Sequence, residues 1–188
     1  MLDFTTVKRG DRTMNDLATT LTLADLRDLT NASIDRFASL LDGLTDDAVV
    51  FVPDDPDAHD SAGDQADRQL AWTLGHVVVH ATASGEEYAA VAAEFARGVP
   101  FHGRPRYETP WQTMQTIEQC RERLSESRRI RLASLAMWPD TPHLDIGTVY
   151  WDGSGWVNAQ GIFLWGLAHD ADHERQLHGI ITQTRAAH

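Results

Sequence analysis

The 188-residue sequence predicts an all-α protein built as a four-helix bundle. Three observations carry that prediction. Four segments repeat apolar residues at three- and four-residue steps, the connections between them are rich in Pro, Gly or Asp, and only residues 146–151 read as extended. The first helix covers about 23–44, with Leu26, Leu29, Ser33, Phe37, Leu40, Leu41 and Leu44 on one face. Thr22 precedes it and Asp25 follows three residues on, a pairing suited to capping the free N–H groups of a first turn. Residues 45–67 read as a solvated loop, because eight aspartates repel one another there and Pro53 and Pro56 break any helix. Counted from Asp55, that loop lacks the glycine and the glutamate that a calcium loop places at its sixth and twelfth positions.

The second helix is expected over about 65–97, with Leu70, Leu74, Val77, Ala81, Ser84, Tyr88, Val91 and Phe95 in one stripe, stopped by Gly98 and Pro100. The third is expected over about 110–137. Thr109 would cap it, Pro110 fits the first turn, and Trp111, Met114, Ile117, Arg121, Leu124, Arg128, Leu132 and Leu135 continue it. A Pro- and Gly-rich loop over 138–157 leads to the fourth helix, about 158–185. The aromatics of that loop, Tyr150, Trp151 and Trp156, read equally as a cover over the bundle mouth or as packing on helix ends. The length suits one domain, 1–188.

Composition narrows the function. A formal charge of −12, with no basic patch, argues against a nucleic-acid partner. No apolar run approaches the ~20 residues of a membrane span, and the N-terminus lacks the apolar core of a secretory signal. With one cysteine, Cys120, no internal disulfide framework is possible, and a cytoplasmic location is expected. Cys120 falls mid-helix, where a buried, inert thiol is expected. No Gly-x-Ser-x-Gly elbow, phosphate-cradling glycine loop or paired Glu-x-x-His motif is present.

The nine histidines are more informative. His59, His102 and His143 fall in loops and His188 ends the chain, so all four are expected in solvent. His76 and His80, and again His169 and His173, stand four apart on helices, close enough to share one ion. On the fourth helix His169 and His173 lie along the middle of the stripe formed by Ile162, Trp165, Gln176 and Ile180, whereas His178 points the opposite way. Two imidazoles buried there require partners: either hydrogen-bonding side chains or a shared metal. On the second helix His80 lies nearer the core edge than His76 and is the better third ligand. Three imidazoles and an open position suit Zn²⁺, Ni²⁺ or Fe²⁺.

The run Trp72-Thr73-Leu74-Gly75-His76-Val77-Val78-Val79-His80 resembles the second helix of the DinB/YfiT-like superfamily. Leu167-Ala168-His169-Asp170-Ala171-Asp172-His173-Glu174-Arg175-Gln176-Leu177 resembles its fourth-helix motif. The resemblance implies an up-down-down-up four-helix bundle with a metal held by His80, His169 and His173. The chain is also similar, more distantly, to mycothiol-dependent maleylpyruvate isomerases. Those replace one fourth-helix histidine by glutamate, and this chain does not, so the isomerase reaction itself is not implied.

What the resemblance does imply is a metal-dependent enzyme, with transfer of a low-molecular-weight, mycothiol-like thiol to an electrophilic small molecule as the leading activity. A metal-dependent hydrolase and a non-catalytic, metal-holding stress protein are the alternatives. Homodimers occur in the family. No general base is legible; Asp172 falls at the edge of the stripe, where an exposed helix carboxylate is the simpler expectation.

Overall fold

In the computed structural model, which describes residues 2–56, 58 and 68–187, the chain is mostly helical. Two short helices, α1 (Thr5–Lys8) and α2 (Met14–Ala18), come first, and a threonine or asparagine opens each long helix that follows. Thr22 and Asp25 form a capping box at the start of α3 (Leu23–Leu40), each side chain accepting from the other's backbone N–H, as their spacing predicts. The aspartate-rich connection after it holds an unexpected short helix, α4 (Asp46–Val50), whose first-turn aspartates meet the positive end of the helix dipole. The calcium-loop spacing from Asp55 falls mostly outside the described residues.

The second long helix, α5 (Leu74–Ala96), starts well after residue 65. Residues 68–73 are not helical, and 65–67 lie outside the described residues. The reason is Thr73, whose extended backbone and side-chain oxygen, accepting from the His76 N–H at 3.2 Å, define the first turn there. Leu70 therefore leaves the helical stripe. At the other end Gly98 turns the chain with φ of +83°, as expected for a stop.

The third long helix also begins late. Pro110 opens only a 3₁₀ turn, Trp111–Thr113, and Met114 is extended. The helix proper, α6 (Ile117–Ala136), is opened by a capping box between Thr116 and Gln119, not by Thr109. Its buried face is Cys120, Leu124, Ser127, Arg131, Ser134 and Leu135, not the stripe extrapolated from Trp111 and Met114, which lie outside the helix. Arg121 and Arg128, expected on that face, instead reach outward to Asp42 and Asp35.

The extended reading of 146–151 is met by a two-stranded antiparallel hairpin, β1 (Gly147–Val149) on β2 (Trp156–Asn158), with Thr148 opposite Val157. Asn15 of α2 clips this hairpin by donating to the Trp156 carbonyl at 3.0 Å and accepting from the Asn158 N–H at 3.2 Å. Asn158 then accepts from the Gly161 N–H at 3.0 Å and so opens α7 (Ala159–Ala187).

Helix α5 packs on both α6 and α7, and α3 packs on the same two. Two apolar clusters fill the interior. One gathers Leu26, Phe95, Leu135, Trp138, Ile162 and Leu164; the other gathers Ile34, Phe37, Val77, Leu124, Leu177 and Ile180. Between them runs a polar layer. Asp170 of α7, fully buried, accepts from Arg131 Nη1 at 2.5 Å and Nη2 at 3.2 Å, and from Ser33 Oγ at 2.9 Å. Arg131 also donates to Ser127 Oγ at 3.1 Å and to the Ala81 carbonyl at 3.2 Å. One ion pair thus touches all four long helices.

Gly85 of α5 faces this pair so closely that a Cβ would stand 2.0 Å from the Arg131 guanidinium carbon. In an ordinary helix interior Gly→Ala stabilises by about 1 kcal/mol. Here Gly85→Ala is expected to destabilise instead, by about 1 kcal/mol net of that gain, since overpacking costs about 1–3 kcal/mol. Asp170→Asn, which leaves a buried guanidinium without its counter-charge, is expected to cost about 3–5 kcal/mol. Urea unfolding midpoints test both signs.

Candidate metal centre

The polar layer continues sideways into the histidines. His80, one and a half turns into α5, meets His169 and His173, one turn apart on α7. Ligand atoms of all three lie within 4.8 Å of one another, and His169 Nε2 is 3.3 Å from His80 Nε2 and 3.2 Å from His173 Nε2. His76 is not brought to this cluster. Its ring is stacked between Trp72, at 4.4 Å, and Trp111, at 5.0 Å. His102, His143 and His178 are exposed as expected, whereas His59 and His188 fall outside the described residues.

Two contacts to one nitrogen pose a question of protons. An imidazole Nε2 carries either one proton or one in-plane lone pair, so His169 Nε2 can satisfy only one of its two neighbours. A cation satisfies all three lone pairs together. The spacing of the two pairs that share His169 agrees: nitrogens about 2.0–2.1 Å from a tetrahedral ion stand about 3.3–3.4 Å apart. Burial pushes His169 down to about 2, with the nearby His173, His80, Arg106 and Arg131 adding to it. Burial pushes His173 down to about 4, with His80 adding to it and the Gln176 bond opposing. Both are therefore neutral at pH 7, the form that binds metal.

The outer nitrogens differ in their partners. His173 Nδ1 stands 2.8 Å from Gln176 Oε1, a bond that puts the proton on Nδ1 and leaves Nε2 free to ligate. His80 Nδ1 faces Arg106 Nη2 at 3.3 Å and Glu108 Oε2 at 3.6 Å. His169 Nδ1 is buried with no hydrogen-bond partner among the described residues. Trp72 covers the cluster on one side, its ring 5.7 Å from that of His173 and nearly parallel to it.

On another side Tyr88 approaches His169, and Tyr150 and Trp151 of the hairpin loop pack on Tyr88 and Trp165. This loop therefore borders the histidines, and its aromatics pack on helix side chains as well. Asp172 points away from the cluster, paired with Lys8 and Arg175. Cys120 is buried; burial, and secondarily the Asp46 charge, push its thiol up to about 12, which leaves it inert.

Glu87, two turns beyond His80, had no sequence signal that set it apart from Glu86 or Glu94 on the same helix. Its buried carboxylate accepts from Arg104 Nε at 2.6 Å, from Arg106 Nη1 at 3.3 Å and from the Tyr150 hydroxyl. Arg106 also donates to Ser84 Oγ at 2.8 Å and pairs with Glu108. One carboxylate thus holds both the α5–α6 connection and the hairpin loop beside the histidines. Among the described residues no helix is long and apolar enough to cross a membrane.

A mostly helical protein that gathers three half-buried imidazoles within ligand distance of one another belongs to the class able to hold a metal ion. Residues 9–177 match the family model of the DinB superfamily, and the chain belongs to that superfamily, whose members often bind metal. Neither a curated protein nor a solved structure shows significant similarity to it.

Glu87 carries a pH signature. Burial raises its carboxyl, but the hydrogen bonds from Arg104 and Tyr150 and the two guanidinium charges outweigh burial and hold it below the ordinary 4.5. A carboxyl lowered on folding stabilises fully above its unfolded value, and that contribution is lost as pH falls through the folded one. Glu87→Gln is expected to cost about 1.5–3 kcal/mol at pH 7. The gap between wild type and variant should close below about pH 4.5, as read from urea midpoints across a pH series.

Proposed function

We propose that the protein is a metal-dependent enzyme in which His80, His169 and His173 hold a divalent transition ion, Zn²⁺ or Ni²⁺ first and Fe²⁺ next. The observation that carries this reading is the gathering of three imidazoles with ligand atoms within 4.8 Å of one another, His80 and His173 Nε2 standing 3.3 and 3.2 Å from His169 Nε2. The proposal extends to the frame: an up-down-down-up bundle of α3, α5, α6 and α7. The pairing of Ser33 and Arg36 with Asp170 and Glu174 supports a parallel α3 and α7. Proximity of Met114 to Gly75 beside the α5 start, with His143 N–H bonded to the Ala96 carbonyl beyond the α6 end, supports a parallel α5 and α6.

Bound by three neutral imidazoles, a divalent ion keeps its charge and an open position, and lowers the pKa of a thiol or water presented there. We assign the leading activity as transfer of a low-molecular-weight, mycothiol-like thiol to an electrophilic small molecule. The chain's own part is to keep His169 and His173 neutral and all three imidazoles oriented. Gln176 holds the tautomer of His173, Trp72 shields its face, and Asp170, locked by Arg131, fixes the turn of α7 that carries His169. Tyr88, Trp151 and Trp165 offer an apolar, aromatic border suited to the carbon part of a small electrophile.

Tag-free wild type is expected to contain about one equivalent of a transition metal per chain, and His169→Ala essentially none, by elemental mass spectrometry. Metal-loaded wild type should then consume a small thiol in the presence of a reactive electrophile, and the variant should not. Metal without thiol consumption, but with ester or amide cleavage, would turn the reading to a hydrolase. Metal with neither activity would leave a binding protein. No metal in wild type, even after incubation with Zn²⁺ or Ni²⁺, would overturn the centre itself.

A further inference from the structure

The three histidines are not equally supported from behind. Gln176 supports His173, and His169 Nδ1 has no hydrogen-bond partner among the described residues. Behind His80 stand two groups of opposite kind, the Arg106 guanidinium at 3.3 Å and the Glu108 carboxylate at 3.6 Å from Nδ1. Only one of them is compatible with ligation through Nε2. A guanidinium can only donate, so a bond from Arg106 requires a lone pair on Nδ1 and puts the proton on Nε2, where it blocks a metal. A carboxylate can only accept, so a bond to Glu108 requires the proton on Nδ1 and frees Nε2.

We propose that Glu108 is the positioning residue for His80, accepting from its Nδ1–H so that Nε2 faces His169 and His173 with a free lone pair. This rests on the metal-centre reading above. Glu108 comes from the connection between α5 and α6, far from the histidines in sequence, yet a fixed relay places it. Glu87, buried on α5, holds Arg106 together with Ser84, and Arg106 pairs with Glu108. Arg106 is thereby occupied on three sides, by Ser84, Glu87 and Glu108, and a fourth bond to His80 is the one it can forgo. A carboxylate 3.6 Å from Nδ1 needs to move only a few tenths of an ångström to reach ordinary hydrogen-bond distance. Accepting there, it raises the basicity of the imidazole as a ligand and places one negative charge behind a divalent ion.

The experiment is Zn²⁺ affinity, read by competition with a chromogenic chelator, on full-length wild type, Glu108→Gln, Glu108→Asp, His80→Ala and the double variant His80→Ala/Glu108→Gln. Loss of an outer-shell partner typically weakens metal binding 10–100-fold. Glu108→Gln is expected to weaken it at least about tenfold. Glu108→Asp, which keeps the charge but draws the acceptor back from His80, should fall between Gln and wild type. In the His80→Ala background Glu108→Gln should have no further effect. The d–d absorption of the Co²⁺-substituted protein should shift in Glu108→Gln, which a loss of fold stability alone would not produce.

Wild-type affinity in Glu108→Gln, or an equal weakening with and without His80, overturns the inference and leaves the metal centre standing. A wild type that binds no Zn²⁺ overturns both. Should Glu108→Gln not fold, the aspartate variant decides: unchanged affinity there overturns the inference.

Discussion

The buried pair Arg131–Asp170 is the constraint from which the rest of the interior follows. Neither charge touches solvent, so each must be matched within the protein, and the matching draws on α3, α5, α6 and α7 together. A purely apolar interior would tolerate helices sliding by a fraction of a turn. A bidentate ion pair with hydroxyl and carbonyl partners does not, because a displaced partner would leave a buried charge unmatched. The absent Cβ at Gly85 is part of the same arrangement, since only glycine leaves room for the guanidinium against α5.

That constraint bears directly on the histidines. Asp170 follows His169 in the chain, so locking Asp170 inward on one side of α7 sets the rotation of the turn that carries His169, and through it His173 one turn later. The ion pair and the imidazoles form one polar layer between two apolar clusters. Burial between them keeps His169 and His173 neutral and makes unmatched lone pairs costly, two conditions that favour a cation there. Glu87 performs the equivalent task for the surroundings: it draws Arg104, Arg106 and Tyr150 from two separate connections to the edge of the cluster.

Much of this frame was legible from residue spacing. Periodicity located the cores of four long helices, and the Thr22–Asp25 pair marked the start of α3 to the residue. The boundaries that slipped did so for local reasons. Thr73 caps α5 at a point where apolar Leu70 and Leu74 continue the stripe without interruption, and Thr116 with Gln119 outcompetes the equally plausible Thr109-Pro110. The stripe expected for α6 ran through Trp111 and Met114, which are not in the helix, and it missed Arg131, since an arginine on an inward face is legible only once the face is known. His169 and His173 were recognisable because a four-residue step on a helix is strictly local geometry, whereas the same step left His76 beside His80 and only the stripe position favoured His80.

The sequence by itself determined what depends on neighbours within a few residues: helical content, the pairing of His169 with His173 on one face, and the motifs that mark the superfamily. Only the tertiary structure decided what depends on residues far apart in the chain. It brought His80 within 3.3 Å of His169 and placed His76 instead between two tryptophans. It matched Arg131 with Asp170, and it set Arg106 and Glu108 behind His80. The physical reason is that hydrogen bonds and ion pairs act over about 3–4 Å of space, while periodicity reports only which way a side chain leaves its own helix.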